Sequence, residues 1–435
     1  MIAARTPENA FAPENLWPDW RMLCETIGER RAGTAAEHRA AAFIAGQFES
    51  AGLDVSIEPF PCAHRRSATT EVHERTANGW HALEATSLVG APATPGGRAV
   101  TGKLVWVELP EAGRRIKPGA WRDCIVAVFG SLPTEVALHR RLVAAQPLAV
   151  VHVDERLPFG WTKNDGVYPY WVRRYGMPPT VTVPYTDAWR WRRDGVRELR
   201  VRVALDQPAG ESRNVIAEWR GRQPAAPAIV LTAHHDTQCG NVGADDNASG
   251  VVALLALARA LSKRRLERTV RLISFGAEEQ LSVGSAAYVR RHRVTPATAG
   301  LVINFDSVSS PLGHWMISVA GSPKLQRFTV ARLAARGLDA VVQPEITPFS
   351  DHFAFNRAGV PSLWFMRTNS SGGRWQHHSV HDNLLHVSAE ELRRLLTAVQ
   401  PLIATLGNSL RWPFPTALPA AQHALARRLG RQLFG

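Results

Sequence analysis

Residues 228–250 read AIVLTAHHDTQCGNVGADDNASG, and this stretch decides the predicted fold because a strand, a polar loop and a helix start follow one another in it. The apolar run Ala228–Ala233 predicts a buried strand, and the apolar spacing of Ser249–Arg264 predicts a helix. Downstream, TVRLISF (Thr269–Phe275) and LVINF (Leu301–Phe305) predict further strands. Such alternation is typical of an α/β sandwich. We therefore expect a mainly parallel, mixed sheet between layers of helices.

The pattern of apolar residues divides the rest of the chain into segments. Near the N-terminus a helix pattern is again followed by a strand pattern, since Ala35–Ala51 predicts a helix and Leu53–Phe60 a strand. Between them and the quoted stretch, short β-like runs (KLVWVEL, CIVAVFG, LAVVHV and TVTVPY) lie among Gly, Pro and Trp. We expect a discontinuous α/β domain over 1–81 and 206–410, an inserted strand-rich domain over 82–205, and a tail over 411–435 that forms a short amphipathic helix.

Composition excludes several classes of protein. Hydrophobic residues make up 45% and charged residues 20% of the chain, which predicts a packed globular core. The net charge of +13 comes from scattered arginines without a long basic run, so we expect no nucleic-acid partner. We also expect no membrane span and, since no signal peptide is visible, a cytoplasmic location. The four cysteines lie far apart, without a C-x-x-C pair, and this argues against a thiolate metal site.

Polar residues follow three of the predicted strands at the point where each strand ends. His234 and Asp236 end the first strand, Glu278 and Glu279 follow the second, and Asp306 follows the third. Because ligands of open α/β sheets bind outside the carboxyl ends of the strands, these groups should face one crevice. Each signal alone is weak, since an Asp after a strand is more often a helix cap. Their joint occurrence indicates a site.

Two further segments contribute candidate metal ligands. Asp245 and Asp246 lie in the loop before the Ser249 helix, and His378 lies in a late loop. Histidine and carboxylate ligands without thiolate suit zinc in an open, catalytic site. A bridging carboxylate allows two ions about 3.5–4 Å apart to share one hydroxide. We therefore predict two zinc ions per chain.

Several motifs occur in the order of a known family. They are AHHDT (233–237), GADDNASG (243–250), GAEEQ (276–280), NFD (304–306), SDH (350–352) and HSVHD (378–382). The chain resembles the zinc exopeptidase family that includes bacterial leucyl aminopeptidases, aminopeptidase Y, glutamate carboxypeptidase and glutaminyl cyclase. The likeness spans about 206–407, and the insert is similar to the protease-associated domain of some members. The resemblance implies a peptide or aminoacyl substrate; it leaves the oligomeric state open.

The resemblance also implies roles for individual residues. Asp245 is expected to bridge both ions, with Glu278 as the general base and Asp236 as the partner of the His234 ring. His234 and Asp306 are expected to complete the coordination of one ion. Glu279 and His378 are expected to complete the coordination of the other. His378 is preferred to His377 and His381 because the family's ligand stands four residues before an Asp, here Asp382.

Aminopeptidase activity is the function that the resemblance favours, and three alternatives remain. Carboxypeptidase action would need cations for the substrate carboxylate, and Arg367 and Arg374 flank the loop before His378. Glutaminyl cyclase-like acyl transfer would use one zinc ion, and an inactive, receptor-like domain would have lost ligands. A serine triad is excluded because there is no G-x-S-x-G motif and three adjacent residues cannot converge as a triad does. We expect the motif at 350–352 (Ser350, Asp351 and His352) to line the substrate side instead.

Overall fold

The computed structural model describes two compact units. The first comprises residues 1–64, 209–370 and 380–430, and the second comprises 65–208, 371–379 and 431–435. The described residues are 10–64, 67–109, 115–130, 135–153, 159–163, 165–261, 265–368 and 374–435.

The first unit contains an eight-stranded mixed sheet in the order β1-β10-β12-β11-β13-β16-β14-β15. Its four central strands, β12, β11, β13 and β16, are mutually parallel, whereas β1 and β10 pair antiparallel at one side. The strands, numbered in chain order, are β1 (Asp54–Ala63), β10 (Ala209–Trp219), β11 (Ala228–His234), β12 (Val270–Phe275), β13 (Ala299–Phe305), β14 (His314–Ala320), β15 (Ala340–Gln343) and β16 (Ser362–Thr368).

Helices cover both faces of this sheet, and side-chain alternation along β11 shows why. Ile229 and Leu231 point into the larger core with α6 (Gly250–Leu261) and α10 (Ala389–Gly407). Val230 packs in a second core with α7 (Val283–Arg291) and α9 (His352–Arg357). A strand buried on both faces is a near-continuous apolar run, as the sequence predicted. The helices are α1 (Pro13–Arg21), α2 (Ala35–Ser50), α6 (Gly250–Leu261), α7 (Val283–Arg291), α8 (Pro323–Ala334), α9 (His352–Arg357), α10 (Ala389–Gly407) and α11 (Ala420–Leu433). The predicted α/β class is confirmed.

The second unit has its own eight-stranded sheet, in the order β3-β2-β9-β5-β6-β7-β8-β4. Its strands are β2 (Ser67–Thr76), β3 (Gly79–Leu83), β4 (Thr86–Ser87), β5 (Val100–Glu108), β6 (Cys124–Phe129), β7 (Ala149–Val153), β8 (Thr180–Thr182) and β9 (Glu198–Asp206). Three helices accompany them, which the strand-rich prediction did not include: α3 (Val136–Ala144), α4 (Pro169–Tyr175) and α5 (Tyr185–Asp194).

The second unit begins at residue 65, whereas the sequence-based edge lay at 82. The difference comes from β2 and β3, since β2 pairs with β9 from Ser67↔Asp206 to Glu74↔Leu199. β2 has the sequence SATTEVHERT, which is too polar to be recognised as a strand by an apolar run. In the tail, α11 lies within the predicted segment. None of the described helices combines the length and apolar character that crossing a bilayer requires.

Candidate metal centre

The carboxyl ends of β11, β12 and β13 meet because these three strands are parallel neighbours. His234 is the last residue of β11 and pairs in register with Phe275 of β12. The turn after β12 carries Glu278 and Glu279, and Asp306 directly follows β13. The sheet therefore brings together the polar groups that the sequence places at these three strand ends.

The imidazole of His234 lies at the centre of this cluster and is 1% exposed. Its Nε2 lies 3.1 Å from Asp246 Oδ1, 3.7 Å from Asp306 Oδ1 and 3.8 Å from Glu278 Oε2. Burial alone would lower the pKa of His234, but the charge of Glu278 and contacts with the surrounding aspartates raise it well above its usual value. The arrangement favours a positive charge at Nε2.

Asp236 joins His234 to the turn after β12. Its Oδ1 accepts a hydrogen bond from the Glu278 amide (2.9 Å), and its Oδ2 accepts one from the Glu279 amide (3.2 Å). His234 Nδ1 lies 3.5 Å from Asp236 Oδ1 and 3.2 Å from the Asp236 carbonyl oxygen. With Nδ1 turned to Asp236, the other ring nitrogen faces the carboxylates of the cluster.

The turn before α6 places Asp246, rather than Asp245, against His234. Asp245 Oδ1 instead accepts hydrogen bonds from the amide and hydroxyl of Ser309, each 2.8 Å long. Asp382 fixes both aspartates, since its oxygens accept from the amides of Asp245 (2.7 Å) and Asp246 (3.0 Å). Asp246 rather than Asp245 is therefore the aspartate at His234, and the bridging role of Asp245 stays a prediction. The local backbone decides this, because successive side chains of the turn point in different directions.

Gly243 shows how tightly this turn is folded. Its φ is +52°, and a Cβ there would lie 2.3 Å from the carbonyl oxygen of Asp246 and 2.7 Å from Thr237 Cγ2. Only glycine combines this left-handed backbone with so close an approach. The spacing between His234 and Asp246 thus depends on a specific conformation of the connecting loop.

A chain of buried hydrogen bonds supports Asp306. Thr232 Oγ1 donates to Asn304 Oδ1 (2.6 Å), Asn304 Nδ2 donates to Ser350 Oγ (2.7 Å), and Ser350 Oγ donates to Asp306 Oδ2 (2.6 Å). All four residues are buried. Ser350 was expected on the substrate side, but the structure shows that its hydroxyl orients the Asp306 carboxylate.

The other two residues of the 350–352 motif are also buried. Burial raises the pKa of Asp351 to about 7, against an opposing effect of His234. His352 stacks on Trp364 at 5.0 Å, its Nε2 lies 3.3 Å from Thr347 Oγ1, and burial lowers its pKa to about 3. His352 is therefore a neutral core side chain rather than an exposed substrate contact.

Arg367 is turned inward. Its Nε donates to the Ser310 carbonyl oxygen at 2.6 Å, its Nη1 lies 3.3 Å from Glu391 Oε2, and its guanidinium stacks over Trp315. The residue is 7% exposed. The predicted role as a clamp for a substrate carboxylate is not supported, because these contacts hold the loop after β13.

The chain is similar to known peptidases. Residues 214–403 match peptidase family M28. The chain is 24% identical over 404 residues to the aminopeptidase YwaD of Bacillus subtilis, covering 91% of this chain and 85% of that protein. It is 26% identical over 304 residues to bovine carboxypeptidase Q, covering 66% and 63%. A solved structure of a zinc aminopeptidase from Bacillus subtilis has a TM-score of 0.73 at 21% identity, covering 94% and 98%.

Two predicted residues lie in the segment 374–379, which clusters with the second unit. His378 Nδ1 lies 2.9 Å from Asp165 Oδ1, and the ring stacks on His377 at 3.6 Å. Arg374 begins the turn, where its carbonyl oxygen accepts from the His377 amide. The assignment of His378 as a metal ligand stays a prediction.

The cluster in the first unit fits a metal cation. Among the described residues His234 Nε2 has no hydrogen-bond partner, although it is buried and carboxylate oxygens surround it. His234, Asp246 and Asp306 each offer one ligand atom, and these atoms lie within 4.8 Å of one another. An imidazole nitrogen with two carboxylates is a donor set that zinc accepts.

Sequence reasoning missed supporting residues around this centre. Asp382 had no predicted role of its own beyond its spacing from His378. In the structure its carboxylate accepts the hydrogen bonds that organise the turn before α6. Gln238 Nε2 donates to Glu279 Oε2 at 3.0 Å. Ser309 fixes Asp245. An Asp, a Gln and a Ser far apart in sequence carry no local pattern by which they could be found.

Proposed function

We propose that this chain is a zinc-dependent aminopeptidase that releases N-terminal residues from peptides. The observation that carries the proposal is the buried Nε2 of His234 within 3.1–3.8 Å of Asp246, Asp306 and Glu278. The match of residues 214–403 to a peptidase family makes peptide hydrolysis the expected reaction.

His234, Asp246 and Asp306 would hold the zinc ion. When bound, zinc supplies a Lewis acid for the substrate carbonyl group and lowers the pKa of a bound water molecule. We also propose a second ion, with Glu279 and His378 as the ligands that the family resemblance assigns to it. Asp246 replaces Asp245 as the proposed shared carboxylate.

Glu278 is the proposed general base. Its Oε2 lies at the edge of the cluster, and its Oε1 accepts a hydrogen bond from Ser282 Oγ at 3.1 Å. Burial raises the pKa of Glu278 well above its usual value. A general base must accept a proton from the attacking water and release it to the leaving group. Glu278 takes a proton from the attacking water molecule while the oxygen of that water bonds to the carbonyl carbon of the substrate. It then delivers that proton to the amine nitrogen as the C–N bond breaks.

Aminopeptidase action is favoured over carboxypeptidase action for two reasons. Arg367, a candidate clamp for a terminal carboxylate, is occupied by Ser310 and Glu391. The match to the aminopeptidase YwaD of Bacillus subtilis also covers 91% of this chain, whereas the match to bovine carboxypeptidase Q covers 66%. Bovine carboxypeptidase Q keeps the alternative open to test.

The test compares three substrates with purified zinc-loaded protein and with Glu278→Gln. We expect release from an aminoacyl-anilide and from a free peptide, no release when the peptide's N-terminus is acetylated, and loss of activity in the variant. Cleavage of the acetylated peptide from its C-terminus would instead establish the carboxypeptidase alternative. Zinc content measured on the same preparation distinguishes one ion from two.

A further inference from the structure

The loop 235–244 sets the distance between two of the proposed zinc ligands. It starts directly after His234 and ends at Ala244, two residues before Asp246. Most of it lies outside helices and strands, so sheet and helix hydrogen bonds do not fix its path. Its conformation must be determined by contacts from elsewhere in the chain.

Arg30 makes three of those contacts. Its Nε donates to the His235 carbonyl oxygen (2.8 Å), its Nη1 to that of Val242 (2.8 Å) and its Nη2 to that of Gly243 (3.3 Å). One guanidinium thus binds both ends of the loop. Arg30 is 0% exposed.

The same guanidinium is anchored on the N-terminal side. Its Nη1 also donates to the carbonyl oxygens of Leu23 (3.0 Å) and Gly28 (2.9 Å). All five acceptors are backbone carbonyl groups. Nη1 reaches three of them with two N–H groups, so one of its hydrogens is shared, while Nε and Nη2 bond one each. A lysine ammonium has a single nitrogen with three donors and cannot reach groups so far apart.

Neighbours of Arg30 bind the same loop. The Arg30 amide donates to Thr237 Oγ1 (3.0 Å), Glu29 Oε1 accepts from the Gly240 amide (2.8 Å), and Trp20 Nε1 donates to the Ala244 carbonyl oxygen (2.8 Å). Residues 20–30 therefore form a clamp along the loop, and we call this segment the N-terminal clamp.

We propose that Arg30 is a positioning residue for the zinc centre, because it fixes the loop that holds His234 and Asp246 at binding distance. Among the described residues no carboxylate hydrogen-bonds the Arg30 guanidinium, which makes its burial costly, and burial lowers the pKa of Arg30. A purely apolar contact would fill the same space without that cost, but it could not orient five carbonyl groups. The inference rests on the proposed zinc function.

The test is the Arg30→Lys variant of the full chain, with Asp19→Asn as matched control. Asp19 lies in the same N-terminal region and is also buried, but its carboxylate pairs with Arg259 of α6 at 2.5 Å. Zinc affinity is measured by competition with a zinc-binding dye, and amide hydrogen exchange is followed over 235–246. We expect Arg30→Lys to weaken zinc binding roughly 10–100-fold, as for lost supports of metal ligands, with faster exchange at Thr237 and Gly240.

Asp19→Asn should lower the thermal midpoint without changing zinc affinity or exchange over 235–246. Equal zinc affinity of Arg30→Lys and Asp19→Asn would overturn the proposal. If Arg30→Lys does not fold, Trp20→Phe removes one bond to the same loop; a smaller loss of zinc affinity supports the proposal and an unchanged affinity refutes it. A wild-type chain that retains no zinc would refute the proposed function, while the exchange measurement still tests the clamp.

Discussion

The hydrogen bond from Ser350 to Asp306 gives a prediction that can be worked out from the structure. Ser350→Ala removes a bond to a carboxylate (2.6 Å) and leaves the buried Nδ2 of Asn304 without its acceptor. A hydrogen bond to a charged group contributes about 1.5–3 kcal/mol, and an unsatisfied buried donor costs about 1–3 kcal/mol. Because the two effects overlap, we expect the free energy of unfolding of the metal-free chain to fall by about 2–4 kcal/mol.

Ser362→Ala is a matched control for this variant. Ser362 is equally buried and its Oγ accepts from Asn356 Nδ2 at 3.0 Å, so this variant also leaves an asparagine donor unsatisfied. It has no carboxylate partner among its hydrogen bonds. We expect Ser362→Ala to cost about 1–2 kcal/mol in urea unfolding.

Zinc binding separates the two variants further. With Asp306 no longer oriented, Ser350→Ala should bind zinc roughly 10–100-fold more weakly, while Ser362→Ala should bind it as the wild type does. Competition with a zinc-binding dye measures both. Equal unfolding energies and equal zinc affinities for the two variants would refute the reasoning that Ser350 supports a metal ligand.

Three further predictions test the centre. Glu278→Gln should retain zinc and lower kcat by about 10²–10⁴-fold in an aminoacyl-anilide assay; lost zinc would show that Glu278 is a ligand. Asp246→Asn should reduce zinc content measured by elemental analysis more than Asp245→Asn does, and the reverse order would restore the original assignment. Asp351 has a pKa of about 7 in the folded, metal-free chain, so its carboxyl group holds a proton that the unfolded chain has lost above about pH 4. The contribution of Asp351 to the free energy of unfolding therefore falls as pH rises from about 4 to about 7. Asp351→Asn should raise the free energy of unfolding by roughly 1–4 kcal/mol at pH 8 and change it little at pH 4. Equal gains at both pH values would contradict this assignment.

The strands of the first unit's sheet could be predicted from the sequence because its central strands are buried on both faces. Such strands are apolar throughout, and the polar residues that end them stand out, as with His234 after AIVLTA. β2 could not be predicted in the same way, since its polar residues do not form an apolar run. Its place in the sheet depends on pairing with β9, more than 120 residues away.

The choice between Asp245 and Asp246 shows a second limit. Both are acidic and adjacent, and only the backbone angles of the turn decide which carboxylate faces His234. Asp246 has φ −111° and ψ 91°, outside the helical region, and Asn247 has φ −136°. These angles depend on hydrogen bonds to Asp382 and Phe305, which a reading of local sequence does not contain.

The hydrogen bonds of Asp382 have a consequence for biosynthesis. The amide of Asp246 is held by a carboxylate 136 residues later in the chain. Because a ribosome builds the polypeptide from its N-terminus, every earlier element of the proposed zinc centre leaves the exit tunnel before Asp382 does. In a nascent chain His234, Asp245 and Asp246 therefore emerge before the hydrogen bonds from Asp382 can fix the turn before α6. Correct metal loading must then follow late in translation or after release, when the last organising carboxylate has reached its place.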